Sequence, residues 1–399
     1  MKRLLLLILA IECMGAGFAR EREVWLIASP QDLERVNSSL SRYQQSVMPA
    51  FEDLERDARR FLDLPPFTVM DKKAIAPSGD GHDYLSLDSS WWPDPEKVDG
   101  KPYIRRDGEA NPAAKDSSLY DAERLRLFAD AVETLGLVWR YRRQEDCAAK
   151  GAELLRAWFL DEKTRMNPHL AYAQAVPGVY DGQEEGIIEG RQFIRVMQAA
   201  LWLRTSSSWT DVDHAGLVEW FRSYLVWLET SPAGKDERNA ESNHGSWYDV
   251  QAASVALFIG ESEKARDTLN RLRSRWPIQF RPNGEQPIEQ SRKNSLHYAV
   301  YNLVAHLEGV QLGQQVGLDL WGDPASPLEA AVLRLVPYLT NQEKWPYSQG
   351  SALDSDYVMQ LVRLAEGFMD QSLSEHEVIS ISVDSDNIRS RWRILLPGR

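Results

Sequence analysis

Cysteine is almost missing: only Cys13 and Cys147 occur in 399 residues. Cys13 lies in the N-terminal apolar stretch, so loss of that stretch would leave one thiol and no intramolecular disulfide. Such a chain must rest on a packed core rather than on covalent staples, which suits an exported protein with a large core. Apolar runs that could span a bilayer are missing too, since the one at residues 4–11 is too short. No Lys/Arg-rich run occurs, and 46 basic residues face 59 acidic ones for a net charge of −13. That excludes nucleic acid as a partner. It also means that a polyanionic substrate would need a local basic site. A Gly-rich nucleotide loop is absent, as is a Gly-x-Ser-x-Gly elbow. Neither a His-x-x-x-His pair nor a Cys cluster is present to hold a metal; His297 and His306 stand nine apart. No repeat of fixed length is found.

Rings, by contrast, are abundant, with 14 Trp and 14 Tyr. Most read as knobs in a large helical core and a minority as the lining of a cleft, where flat faces suit the C–H faces of sugars. The opening MKRLLLLILAIECMGAGFAR reads as an export signal of residues 1–19: Lys2 and Arg3, then the apolar run, then Gly17-Phe18-Ala19 as a small-x-small cleavage site. Its removal leaves residues 20–399 as a single domain, one charge more negative, in the periplasm or outside the cell. A lipid anchor on Cys13 is disfavoured by Glu12. No obligate protein partner is evident.

The rest is dominated by helical periodicity with capping signals. Ser29, Pro30 and Asp32 announce one helix, Thr210 and Asp213 another, and Ser326, Pro327 and Glu329 a third. Further helices are expected near 148–160, 190–203, 246–258, 261–275, 296–312 and 354–369. The alternation in VISISVDS suggests one late strand. Residues 65–118 break the pattern, being rich in Pro, Gly, Asp and Trp, and an irregular segment of that length is often functional. Three further polar, aromatic-rich stretches interrupt the helices. The economical arrangement is an all-α fold, a toroid of antiparallel helical hairpins with these segments gathered at one end.

Two stretches concentrate chemistry. AESNHGSWYDVQ puts Asn243 and His244 at a helix entrance capped by Ser242 or Asn243, with free N–H groups that favour an anion. Trp247 or Tyr248, and Gln251, share the face of His244. The plain alternative is a capped helix with a core histidine. IEQSRKNSLHYAVYN offers Glu289 with Arg292 as a helical ion pair, and Tyr298 with Asn302 four apart, beside Tyr301. Arg292 and Tyr298 diverge on one continuous helix but converge if Arg292 precedes it. Its plain alternative is a surface pair with core tyrosines. Paired carboxylates for a glycosidase would come from Glu184, Glu185 and Glu189, from Glu285 and Glu289, or from Asp94 and Asp107; solvated or paired surface is the simpler reading of these.

NHGSWYDVQ and RKNSLHYAVYN, together with HDYLSLDSSWWPDPEKVDGKPYIRRDGE, resemble the alginate lyase family of bacterial polysaccharide lyases, from about His82 to about Asn302. The resemblance implies an (α/α) toroid and β-elimination of a polyuronate with no obligatory metal or other cofactor. It makes Asn243, His244, Arg292 and Tyr298 the catalytic set. Arg292 and Asn243 would neutralise the uronate carboxylate, and Tyr298 would take the C5 proton and return it to the leaving oxygen. His244 would orient the carboxylate or share the base role. Arg105, Arg106 and Arg191 would extend the basic site along the sugar chain. Trp91, Trp92, His169, Tyr172 and Gln174 from the irregular segments are the other expected substrate contacts there. From the two motif stretches come Trp247, Gln251, Glu289, Tyr301 and Asn302. Mannuronan and glucuronan both remain open as the acidic polysaccharide. A toroidal glycoside hydrolase and a non-catalytic glycan-binding protein are the alternatives.

Overall fold

The structure, a computed structural model, describes residues 24–106, 109–340, 342–369 and 391–396. The expected signal at 1–19 and the late strand at 378–385 lie outside the described residues.

Fourteen helices organise the described chain up to residue 369: α1 (Pro30–Ser41), α2 (Met48–Leu62), α3 (Ala122–Arg142), α4 (Glu145–Phe159), α5 (Gln192–Leu203), α6 (Asp211–Thr230), α7 (Pro232–Asn239), α8 (Asn243–Phe258), α9 (Ser262–Ser274), α10 (Trp276–Gln279), α11 (Pro287–Gln290), α12 (Ser295–Gln315), α13 (Leu328–Leu339) and α14 (Ser355–Glu366). Capping boxes open α1 at Ser29–Asp32 and α6 at Thr210–Asp213, as the sequence suggests. The third signal is shifted. α13 begins at Leu328 behind Pro327, and the Ser326 hydroxyl, 3.4 Å from the Leu328 N–H, makes no proper cap.

Helices α3, α5, α8 and α12 pack against one another in succession, and α12 continues to α14. A second layer backs this row, with α4 on α3, α6 and α9 on α8, and α13 on α12. Short links of the kind joining α3 to α4 make such neighbours antiparallel. The result is the two-layered helical-hairpin architecture of (α/α) toroids. Sequence explains the layering. α8 is buried around its whole circumference: 15 of its 16 residues are buried and His244 is the exception. α9 buries only Ala265, Thr268, Leu269 and Leu272, a single stripe, and leaves its charged side to solvent. The many rings serve the core: Phe128 stacks on Trp158 at 4.4 Å, and Phe193, Trp220, Phe221 and Tyr224 form an edge-to-face cluster beside them. Cys147 is buried, and burial pushes its thiol up to about 12, so it is inert.

Charged clamps tie helices together, both between the layers and within the first row. Asp249, fully buried on α8, accepts from Arg271 Nε at 2.7 Å and Arg275 Nε at 2.6 Å. Arg195 on α5 bridges to Asp130 and Glu133 on α3 at 2.7 and 2.6 Å. No helix among the described residues is long and apolar enough to cross a membrane.

The irregular segments form two small sheets. β1 (Leu85–Leu87) pairs in parallel with β4 (Tyr172–Ala175), Leu85 opposite Tyr172 and Leu87 opposite Ala175. β2 (Trp91–Trp92) pairs antiparallel with β3 (Ile104–Arg105), Trp91 opposite Arg105. After β4, a 3₁₀ segment, Glu184–Arg191, leads directly into α5. Its Gly190 lies so close to the core that an added Cβ would fall 2.2 Å from Gln251 Oε1 and 2.4 Å from the Tyr224 hydroxyl. Those two atoms are hydrogen-bonded to each other at 2.6 Å and fully buried, so neither can retreat cheaply. Gly190→Ala should therefore cost roughly 1–3 kcal/mol, read as a lower urea midpoint; an unchanged midpoint would show that this approach is looser than described.

Candidate active site

The α8 and α12 entrances and the two sheets meet around a cleft of about 620 Å³. Among its lining residues are Trp91, Arg105, Gln174, Arg191, Asn243, His244, Arg292, Tyr298 and Tyr301. Helix α12 shows how the sequence builds one wall. Its core run from Ala299 to Gly313 is buried, whereas His297 and Tyr298 in the first turn are only half-buried and face the cleft.

Arg292 sits in the break between α11 and α12. Its guanidinium carbon lies 4.1 Å from the Tyr298 ring centroid, a close cation–π contact. The break makes this possible, because six residues on an unbroken helix would point the two side chains apart. Across the cleft, Ser242 caps α8. Asn243 is buried and donates its backbone N–H to Glu289 Oε1 at 2.7 Å and its side-chain Nδ2–H to Glu289 Oε2 at 2.8 Å. Burial pushes the Glu289 carboxyl up from its usual value, against the pull of the two Asn243 bonds and Arg292. The anion expected at the α8 entrance is thus supplied by the protein itself, and Glu289 is no partner of Arg292 in an ion pair among the described residues.

His244 Nδ1 meets Glu237 Oε1 of α7 at 2.8 Å. Burial pulls the imidazole pKa down, but the Glu237 bond and charge, helped by Glu185, outweigh it, so the net shift is upward. His244 is therefore held toward its imidazolium form, with Nδ1–H donated to Glu237. His297 is the opposite case: burial, with Arg191 nearby, lowers its pKa and keeps it neutral. It lies edge-on to Tyr298 at 5.4 Å and stacks on Tyr301 at 5.9 Å. Gln174 has a left-handed backbone, φ 49°, held by its N–H to Ser86 Oγ at 2.7 Å and its carbonyl from Gln183 Nε2 at 2.7 Å. A non-glycine residue held so at a cleft wall marks a shaped site. Exposed Glu184, Glu185 and Asp236 rim an adjoining hollow of about 450 Å³ that also touches His244 and Arg292.

Several expected contacts lie elsewhere. Gln251 is fully buried, bonded to Tyr224 and, through Nε2, to the Ile187 carbonyl at 3.3 Å. Asn302 is fully buried and donates to Gln286 Oε1 at 2.9 Å, one turn below Tyr298 on the core side. Trp247 is buried beneath Arg191. Glu289 backs Asn243. Trp92 lies under the Arg106 guanidinium at 4.9 Å, outside the cleft lining. His169 pairs with Asp83 at 3.0 Å and packs against Tyr172, which faces it from β4. Gln251 and Asn302 support the site rather than line it, because a polar side chain on an all-buried helix must find a partner inside. Of the carboxylates weighed for hydrolysis, Glu189 is held by Tyr84 and Ser86 hydroxyls at 2.7 Å each, and Glu285 pairs with Arg334 at 2.6 Å. Asp107 lies outside the described residues.

Residues that the sequence did not single out also line the cleft, among them Asp88, Tyr180, Gln183, His297 and Tyr357. Tyr180 sits edge-on to Trp91 at 6.4 Å. His297 adjoins Tyr298 in sequence, but neighbours on a helix point about 100° apart, so adjacency alone did not mark it. Tyr357 arrives on α14, with no local pattern to mark it.

A helical toroid bearing an open cleft lined by arginine, tyrosine and histidine is the architecture of a polysaccharide lyase. The particular family follows from comparison: the family described as Alginate lyase matches residues 68–345, and the chain belongs to it. An alginate lyase from Bacteroides ovatus is 32% identical, with 94% of this chain and 99% of that one covered and a TM-score of 0.85. Alginate lyase A1-III from Sphingomonas species A1 is 15% identical over 86% of this chain and 94% of that one, with a TM-score of 0.51. A tetrasaccharide complex of a tyrosine-to-phenylalanine variant of alginate lyase A1-III is 14% identical over 94% and 96%, with a TM-score of 0.57; these two likenesses concern the fold. Comparison with curated protein sequences gives no match. The protein is an enzyme of the polysaccharide lyase class.

The His244–Glu237 pair makes a testable linkage. Because the His244 pKa is raised in the folded state, its contribution to stability is present below the unfolded value of about 6.5 and is lost as pH rises through the folded value. Glu237→Gln should therefore destabilise more at pH 6 than at pH 9, and an NMR titration should place His244 above 6.5 in the parent and lower in the variant. Equal titration in both would refute the pairing.

Proposed function

We propose that this lyase cleaves a β-1,4-linked polyuronate, mannuronan or glucuronan, by β-elimination at the cleft where Arg292, Tyr298, Asn243 and His244 meet. The observation that carries the reading is the Arg292–Tyr298 contact across the α11–α12 break, facing the His244 imidazole. The alginate lyase activity named for the Bacteroides ovatus relative supports it.

Arg292 receives the carboxylate of the reacting uronate in a charge-assisted hydrogen bond, and the Asn243 amide proton not used by Glu289 adds a second donor. Neutralising that carboxylate stabilises the negative charge that builds when the C5–H bond breaks. The Tyr298 oxygen takes the C5 proton, the electron pair becomes the C4=C5 double bond, and the C4–O bond breaks. In mannuronate and glucuronate, H5 and the C4 oxygen lie on the same side, so Tyr298 returns its proton to the leaving oxygen. The imidazolium of His244 orients the carboxylate. Arg105 and Arg191 bind further along the chain, and Trp91 and Tyr301 present rings to the sugars. The two uronates differ only at C2, and the same machinery serves both. The N-terminal signal directs the enzyme to the periplasm or beyond.

Incubation with a panel of purified polyuronates should yield an ultraviolet-absorbing unsaturated product from at least one; new reducing ends without that chromophore would mean hydrolysis. Tyr298→Phe should cut turnover by about 10²–10⁴-fold while oligouronate binding, measured by calorimetry, survives. Turnover near the parent rate would remove Tyr298 from the reaction.

A further inference from the structure

We propose that Gln349 is a positioning residue for the reaction: with its two neighbours it clamps residues 293–297 and so holds Arg292 over the Tyr298 ring. The inference rests on the lyase reading above and adds to it a residue from another part of the chain.

The two side chains of the Arg292–Tyr298 contact are separated by residues 293–297, which leave the turn after α11 and start α12. Asn294 stands at the N-cap position of α12, yet among the described residues no side chain at that entrance caps the helix. The first N–H groups of the helix that carries Tyr298 must therefore find acceptors elsewhere.

They find them on residues 345–351, between α13 and α14. Gln349 Oε1 accepts from the Leu296 N–H at 3.0 Å and lies 3.5 Å from the His297 nitrogen. The Ser348 carbonyl accepts twice from Ser295, from its backbone N–H at 3.0 Å and its hydroxyl at 2.5 Å. The Gly350 N–H donates to Asn294 Oδ1 at 3.0 Å, and the Ser348 hydroxyl to the Lys293 carbonyl at 3.0 Å. Every residue between Arg292 and Tyr298 is thus met by Ser348, Gln349 or Gly350.

The clamp is itself anchored. Gln349 Nε2–H donates to the Ser351 carbonyl at 2.8 Å, which turns the amide oxygen toward α12. Trp345 donates its Nε1–H to Ser295 Oγ at 2.7 Å and packs edge-on to Tyr338 of α13 at 4.9 Å. Gln349 is half-buried and its neighbours on both sides are exposed. The segment around it adds little apolar burial; what it contributes is partners for the start of α12. Residues 346–351 also lie beyond the matched region 68–345. Without the Gln349 oxygen the first turn of α12 frays, and Tyr298, one residue past His297, loses its fixed direction against Arg292. The rest of the cleft still binds the polymer, so the loss falls on kcat rather than on KM.

Two substitutions test this on a polyuronate that the parent cleaves. Gln349→Met keeps the length of the side chain and removes the acceptor, whereas Gln349→Glu keeps an acceptor. Gln349→Met should lower kcat by about tenfold with KM within about twofold of the parent. Gln349→Glu should hold kcat within about threefold of the parent, because the cap survives. Parental kcat in Gln349→Met, or a change in KM alone, overturns the proposal; so does a Gln349→Glu enzyme as slow as Gln349→Met. Hydrogen exchange in the parent, without substrate, reads the clamp with no substitution. The Ser295 and Leu296 amides should exchange at least about tenfold more slowly than in an unfolded chain, and exchange at the unfolded rate overturns the proposal. Protected amides in a parent that yields no unsaturated product from any polyuronate defeat the lyase reading instead, and the positioning role with it.

Discussion

The Glu289 carboxylate at the entrance of α8 is the constraint on which the site depends. Its two oxygens take the backbone and side-chain N–H of Asn243. A buried carboxylate is expensive unless charge-assisted bonds and positive potential offset the loss of water. Both are present here, because a helix N-terminus carries partial positive charge and free donors. The bond joins two segments about fifty residues apart. It fixes α11 against α8, sets where the chain leaves α11, and so places Arg292 and Tyr298 opposite His244.

The same economy governs charge. The chain is strongly acidic, and an acidic surface repels a polyanion. Most arginines that reach the interior are consumed by structural carboxylates, as Arg195, Arg271 and Arg275 are. Three arginines converge on one cleft: Arg105 from the β-hairpin, Arg191 among three aromatic rings and Arg292 against Tyr298. Glu184, Glu185 and Asp236 give the adjoining rim negative charge.

Much of this was legible in the sequence. Apolar periodicity and capping boxes located the helices because they are short-range signals, and the resemblance in NHGSWYDVQ and RKNSLHYAVYN picked out Asn243, His244, Arg292 and Tyr298. What the sequence could not show was direction. Gln251 and Asn302 have the polar chemistry of site residues, yet α8 and α12 are buried on every side, so facing the site motif says nothing about facing solvent. Glu289 was three residues from Arg292 and read naturally as its partner; the turn after α11 separates them and gives Glu289 to Asn243. Tyr357 and Glu237 reach the site from α14 and α7 through tertiary packing, for which local spacing carries no signal. The 65–118 segment was read as irregular and functional, but its pairing of Trp91 with Arg105 needed the hairpin to be seen.

The central claim is spatial: one uronate sits with its acid on Arg292 and its C5 beneath the Tyr298 oxygen. A crystal structure of the Tyr298→Phe protein with a uronate tetramer tests this most directly. The account predicts one sugar carboxylate in hydrogen-bond contact with Arg292, and that sugar's C5 about 3–3.5 Å from where the missing hydroxyl would be. A tetramer bound with no carboxylate on Arg292, or with every C5 turned away from the ring of residue 298, would contradict it.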